Sequence, residues 1–244
     1  VTETVRTSLR VTALELPARW GRPERALREV DEALAAGPPT DLVLLPEAAL
    51  TGYVSPSGDF DLRRFAEPLD GPMAAGIAEL ARRHRVHLGG PLIERDGLRH
   101  HNTLLLFDPD GQLVLHYRKR HPWYPETWAD PGDVLPPPRV VRGRKVTAAI
   151  CFDVHFLVEE AAALLGAADV LLFPSAWVEE TDSRPELLSG LARRFGIAIV
   201  NANWGWGRPR IAGQGGSRIV GPDGSVLAVA EAGRADAELE QPGT

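Results

Sequence analysis

The chain has 244 residues, of which 44% are hydrophobic and 25% charged, and a formal net charge of -6; an acid excess without a concentrated Lys/Arg tract argues against nucleic acid or an anionic membrane surface as the main partner. No apolar run reaches the roughly 20 residues that span a bilayer, and the polar start VTETVRTSLR lacks the apolar core of a signal peptide. A single cysteine excludes an internal disulfide and suits a reducing cytoplasm, while seven scattered histidines without Cys/His zinc spacing predict a protein that needs no metal or organic cofactor.

Short β-like runs then alternate with amphipathic Ala/Leu/Arg-rich stretches: SLRVTALEL, a helical pattern over 23–36, DLVLLP, a second helix over 72–84, and RVHLGGP. That βαβα order predicts an α/β sheet covered by helices. HNTLLLFDPDGQLVLHY reads as a hairpin turning at Pro109-Asp110-Gly111. Residues 118–144, rich in Pro and aromatics, read as one irregular segment, too long for a simple connection and so an ordered, site-forming loop. The pattern restarts at KVTAAIC, and the echoes fall in one order. VTALEL is answered by VTAAIC, LLPEAAL by LFPSAWV, RRHRVHLGGP by RRFGIAIVNA, and FDPDGQLVL by VGPDGSVLA. This predicts one domain over 1–244 made of two related halves, about 8–117 and 145–230, packed about a pseudo-two-fold. Gly205, Gly207, Gly213, Gly215 and Gly216 follow no strand–loop–helix–Lys pattern and read as turns.

Three residues with useful chemistry stand at strand exits. Glu47 follows LVLLP, Lys119 follows LVLHY, and Cys151 follows VTAAI, and ligands of open α/β sheets bind at the carboxyl edge of the strands. A lone cysteine ending a buried strand is also an ordinary small core residue. As a nucleophile it would need help, because a free thiol with a pKa of about 8.5 attacks an amide poorly at neutral pH. A carboxylate can take its proton. An ammonium, with the backbone N–H after the cysteine, can hold the negative charge of a tetrahedral intermediate, and the same carboxylate can then protonate the departing amine and activate water. His155 suggests a Cys-His dyad or a pocket wall. Trp123, Trp128, Trp177, Trp204 and Trp206 could line a pocket or simply pack, with Trp177 the best placed because it follows a strand exit equivalent to that of Glu47.

At these residues the sequence resembles the nitrilase superfamily of carbon–nitrogen hydrolases. LVLLPEAALTGY, FDPDGQLVLHYRKRH and AAICFD are similar to that family's glutamate, lysine and cysteine motifs, and LFPSAW and GGSRIVGPDGSVLA to its later blocks. The resemblance covers nearly the whole chain. It implies an αββα sandwich, with Glu47 as general base, Lys119 beside it and Cys151 as nucleophile through a thioester. It also implies Glu126, in WYPETW, as a group positioning substrate and Lys119; beside it, Phe152, His155 and Trp177 are expected from their places near the cysteine and the strand exits to contact substrate. Phe152-Asp153 after the cysteine is closer to the amidase branches than to true nitrilases, whereas His155 and Leu157 stand where many amidases have an arginine and a proline. The expectation is hydrolysis of a small carboxamide, or of an N-carbamoyl or ureido compound. A silent binding or scaffold protein, nitrile hydrolysis and acyl transfer remain open. The resemblance further implies a homodimer or larger homo-oligomer, with helices near 156–165 and 185–195 as candidate contact surfaces. The acidic end EAGRADAELEQPGT is expected to be frayed or to reach a partner.

Overall fold

The computed structural model describes residues 8–240, so the start and end of the chain discussed above, 1–7 and 241–244, lie outside the described residues. In chain order the elements are β1 (Leu9–Leu14), α1 (Pro23–Ala36), β2 (Leu42–Leu44), α2 (Pro72–His84), β3 (His87–Asp96), β4 (Arg99–Phe107), β5 (Leu113–Arg118), β6 (Arg139–Val141), β7 (Arg144–Ala148), α3 (Leu157–Glu160), α4 (Ala162–Gly166), β8 (Val170–Ser175), α5 (Arg184–Phe195), β9 (Ala198–Asn203), β10 (Arg218–Val220), β11 (Val226–Val229) and β12 (Arg234–Leu239). They form two six-stranded sheets, ordered β12-β1-β2-β3-β4-β5 and β11-β10-β9-β8-β7-β6.

The strand order repeats. In each sheet three parallel strands are followed by two antiparallel ones, and the first parallel strand carries one antiparallel edge strand, β12 or β6. The echoed segments occupy matching places, VTALEL on β1 and VTAAIC at β7, with FDPDGQLVL and VGPDGSVLA at the β4–β5 and β10–β11 hairpins.

Side-chain alternation explains the layers. Along β4, Leu104 and Leu106 enter the core shared with β7 and β8, while Leu105 and Phe107 face the other way, onto the helices. On that outer face α1 presents Ala26, Val30 and Leu34 at i, i+4 and i+8, and α2 presents Met73, Ile77 and Leu80. Leu188, Leu191 and Ala192 of α5 cover the second sheet. Helix, sheet, sheet and helix make the αββα sandwich.

Four elements depart from the sequence reading. β3 runs on to Asp96, five residues past GGP, and pairs with β4 through a second hairpin at Gly97 (φ 60). Its polar end is held by burial of Glu94 against Thr103, His116 and Arg118. The irregular segment stops at Pro138, because Arg139–Val141 folds back on β7 around Arg142 and Gly143 (φ 46 and 81). Where one helix was expected near 156–165, there are two short ones, broken at Ala161. The acidic end, read as frayed or reaching out, instead makes strand β12 on β1 over six residue pairs. Its alternating RADAEL places Ala235 and Leu239 inward.

This arrangement places the site. β5 runs parallel to β2, so Glu47 and Lys119 emerge at one sheet edge, where antiparallel β4 begins and carries Asn102. Parallel β7 and β8 deliver Cys151 and Trp177 to the facing edge of the second sheet.

Candidate active site

Each strand exit is shaped locally. Lys119 is clamped by its backbone, its N–H donating to the Asn102 carbonyl at 2.8 Å and its own carbonyl accepting from Gly132 at 2.8 Å. Gly132 is required there, because a Cβ would lie 2.3 Å from the Arg118 carbonyl oxygen. Cys151 has φ 44, a left-handed conformation that costs a non-glycine residue about 1–3 kcal/mol and persists only where its surroundings impose it. Here the surroundings are a tight 3₁₀ turn, Cys151–His155, closed when the Ile150 N–H donates to Asp153 at 2.9 Å.

The four charged or nucleophilic residues that the sequence singled out come together. Lys119 Nζ lies 2.7 Å from Glu47 Oε1 and 2.6 Å from Glu126 Oε2, all three side chains being at most 1% exposed. Asn102, which sequence reasoning missed, donates through Nδ2 to both carboxylates at 2.7 Å. The Trp123 N–H adds a 2.6 Å bond to Glu126. Glu47 Oε2 accepts from the Ala176 N–H at 2.8 Å, and Ala176 lines the same cavity as Cys151.

Electrostatics decides the resting protonation. One ammonium between two ionised carboxylates leaves an excess negative charge, and a thiolate would add a second. Burial accordingly pushes the Cys151 thiol well above its ordinary value, and Glu47 reinforces the push against an opposing pull from Lys119. Burial alone would lower the Lys119 ammonium, but Glu126 and Glu47 outweigh it and raise it. Glu126 is itself held above the usual carboxylate range, by burial first and by Glu47 as well, despite Lys119. These surroundings therefore favour the neutral thiol over the thiolate.

Cys151 opens onto a cavity of about 150 Å³ that Phe152, His155 and Trp177 also line, with Trp123 on its rim. The His155 ring lies 5.1 Å from Phe152 and 5.9 Å from Trp177, between centroids. Of the other tryptophans, Trp128 and Trp204 are buried in an aromatic cluster with Tyr53, and Trp206 is 53% exposed under Arg210. These three pack elsewhere. Arg118 and Arg120 on either side of the lysine pair with Glu94 and Glu160.

Asp153 does more than close the turn. Its Oδ1 accepts the N–H of His121 at 2.8 Å and of Arg120 at 3.2 Å, and Oδ2 accepts the Tyr117 hydroxyl at 2.8 Å. One buried carboxylate thereby ties the Lys119 segment to the Cys151 turn. Burial holds its carboxyl above the usual range. Apart from the Ile150 N–H, its partners are two backbone N–H groups and one hydroxyl over thirty residues away, and nothing in the letters around it points to them.

A family model described as carbon-nitrogen hydrolase matches residues 8–237. A formamidase of Pseudomonas syringae pv. tomato is 29% identical over 158 residues, covering 64% of this chain and 45% of its own length. The chain spans about half the length of the curated formamidases it matches. Two solved structures of an amidase from Nesterenkonia sp. AN1 are similar throughout. One, with the acetamide moiety of fluoroacetamide added covalently at the active-site cysteine, superposes with a TM-score of 0.86 at 26% identity, covering 98% of this chain and 93% of that one. The other, a variant in complex with butyramide, gives 0.84 at 27% identity, covering 95% and 90%.

Proposed function

The chain belongs to the carbon–nitrogen hydrolase family, and from that premise we propose that it hydrolyses small carboxamides to the carboxylic acid and ammonia through a thioester on Cys151. The observation that carries this reading is the fully buried Lys119, held at 2.7 and 2.6 Å between Glu47 and Glu126 beneath a strained cysteine that opens onto a small cavity.

In the first half-reaction the sulfur attacks the amide carbon while its proton passes to Glu47, so no free thiolate accumulates. Glu47 is assigned as base because it lies in the segment that resembles the family's glutamate motif and is fixed by the N–H of Ala176, which lines the cavity with Cys151. The carbonyl electron pair moves onto oxygen. Two of the three ammonium protons of Lys119 are engaged by carboxylates, which leaves one for that oxygen. The Phe152 N–H, in the first turn of its 3₁₀ helix and so without a partner inside it, supplies a second donor. When the intermediate collapses, the C–N bond breaks and Glu47 returns its proton to the departing nitrogen. Water then attacks the thioester with Glu47 again as base, the C–S bond breaks, and the acid leaves as the sulfur regains a proton.

The cavity limits the acyl group. About 150 Å³ is the size of a pocket that holds benzene, or about five waters at ~30 Å³ each, so an acyl chain of a few carbons is the expected fit. Support for that scale comes from the similar amidase that holds butyramide. The test is ammonia release from formamide, acetamide, propionamide and butyramide by the native protein, with intact-mass detection of an acyl adduct. Turnover of at least one, abolished in Cys151→Ala, is the expected result. Absence of turnover on all four, with no adduct, would refute the reading.

A further inference from the structure

The cavity carries a charge for which the reaction has no use. Glu179, two residues past Trp177, also lines it. Its Oε2 accepts three hydrogen bonds, from Trp177 Nε1 at 2.9 Å, from the Ser183 N–H at 2.9 Å and from Ser183 Oγ at 2.7 Å. Those donors, the indole first, hold its carboxyl below the usual range. The group is thus anionic and fixed in place, while Oε1 takes no hydrogen bond from a described residue. The nearby arginines do not neutralise it: Arg184 and Arg218 are both taken by Asp182, at 2.7 and 2.6 Å.

The other walls point the same way. Phe152, His155, Trp177 and Trp123 surround the cavity with aromatic rings, whose faces attract cations. A carboxylate with a free oxygen in a cavity lined by aromatic rings is complementary to an ammonium and repels a carboxylate. Below it, the Glu47–Lys119–Glu126 cluster offers no net positive charge to oppose this. We infer that Glu179 selects the substrate by charge, favouring small carboxamides whose acyl chain ends in a protonated amine and rejecting those that end in a carboxylate. This rests on the amide-hydrolase reading and adds the class of amide that the site takes.

Three probes of matched length isolate the charge: 3-aminopropanamide, cationic at neutral pH, butyramide, neutral, and succinamate, anionic. Binding is measured calorimetrically to Cys151→Ala, with and without Glu179→Gln, so that affinity is read apart from turnover. The glutamine can keep its oxygen on Trp177 and Ser183 while losing the charge, and Glu179→Asp, with the charge restored, checks for rescue. A charge-assisted hydrogen bond predicts that 3-aminopropanamide binds about tenfold tighter than butyramide, with succinamate weakest. Glu179→Gln should erase that order, and Glu179→Asp should keep part of it. Equal affinity for the three, an order unchanged in Glu179→Gln, or no binding of 3-aminopropanamide would overturn the inference. Ammonia release by the native protein separates the two proposals. Hydrolysis of all three amides at equal efficiency leaves the hydrolase reading standing without charge selection. Ordered binding without any hydrolysis keeps the selectivity and removes the chemistry.

Discussion

The floor and the mouth of the site are built on opposite terms. At the floor Glu47, Lys119, Glu126 and Asn102 are buried, and their charged groups bond one another at 2.6–2.7 Å. At the mouth Trp177, Glu179, Phe152 and His155 come from a loop and a short turn, present rings and one carboxylate, and leave bonding capacity free. Buried ionic groups are held because any missing partner is expensive, so the floor cannot be altered piecemeal. At the mouth Trp177 is buried, but Phe152 and Glu179 are half-buried and His155 is exposed, so those three can change at smaller cost. Under the proposed function, chemistry belongs to the buried cluster and selectivity to the segments that line the cavity above it.

Breaking the floor should give the largest effects. Cys151→Ala is expected to lower ammonia release by about 10⁴-fold or more, with the far-UV spectrum unchanged. Lys119→Met strands two carboxylates in the interior, and removing one partner of a buried pair costs ~3–5 kcal/mol. For a chain of this size that is a fall in Tm of roughly 10 °C, readable by calorimetry, along with loss of activity. A Tm within 2 °C or so of native would mean that the carboxylates had found other partners and that the floor is less rigid than its bonds imply.

Glu47→Gln sharpens the comparison because two readouts should move in opposite directions. Loss of the base predicts a fall in kcat of about 10²–10⁴-fold. The thiol, however, is held up by burial and by the Glu47 charge, so removing that charge lowers its pKa and raises the thiolate fraction at any pH below it. Labelling of Cys151 by N-ethylmaleimide, followed by intact mass from pH 7 to 10, should be faster in Glu47→Gln than in the native protein. In the native protein it should climb with pH, with no plateau near neutrality. A neutral plateau, or slower labelling in the variant, would indicate a preformed thiolate and a different role for Glu47.

The same division marks what could be read from the letters. Glu47, Lys119 and Cys151 could be picked out because each follows a strand within a local motif, Glu126 only through the resemblance of WYPETW, and the repeated strand order could be read in the four echoes. Asn102 was not. At the start of a strand beside two histidines it looks like any polar edge residue, and its two carboxylate partners are 55 and 24 residues away. Asp153 stands out in the letters only as a neighbour of the cysteine, since its partners beyond the turn, the Tyr117 hydroxyl and the Arg120 and His121 N–H groups, lie over thirty residues away. Strands β6 and β12 escaped because three residues after a proline run, and an alternating acidic hexapeptide, gain strand character only from the strands they pair with. At the mouth, nothing in the letters marks Glu179, whose place depends on bonds from Trp177 and Ser183.

The smallest expected effect tests whether floor and mouth are separable. Trp177→Phe keeps an aromatic wall and removes the indole N–H, one of three donors to Glu179. The two Ser183 bonds remain, so the carboxylate loosens without being freed. Trp177 makes no bond to Glu47 or Lys119 through its side chain, but its backbone N–H is fixed separately, donating to Asn203 Oδ1 at 3.0 Å, next to the Ala176 N–H that holds Glu47. The side-chain change leaves that backbone anchor in place. The expectation is a rise in KM of about threefold, the size of one modest hydrogen bond, carried by the cationic probe and much smaller for butyramide. If kcat falls instead, by the same factor for both amides, the indole is positioning the Ala176 N–H and the base through the backbone, and the mouth is part of the machinery beneath it.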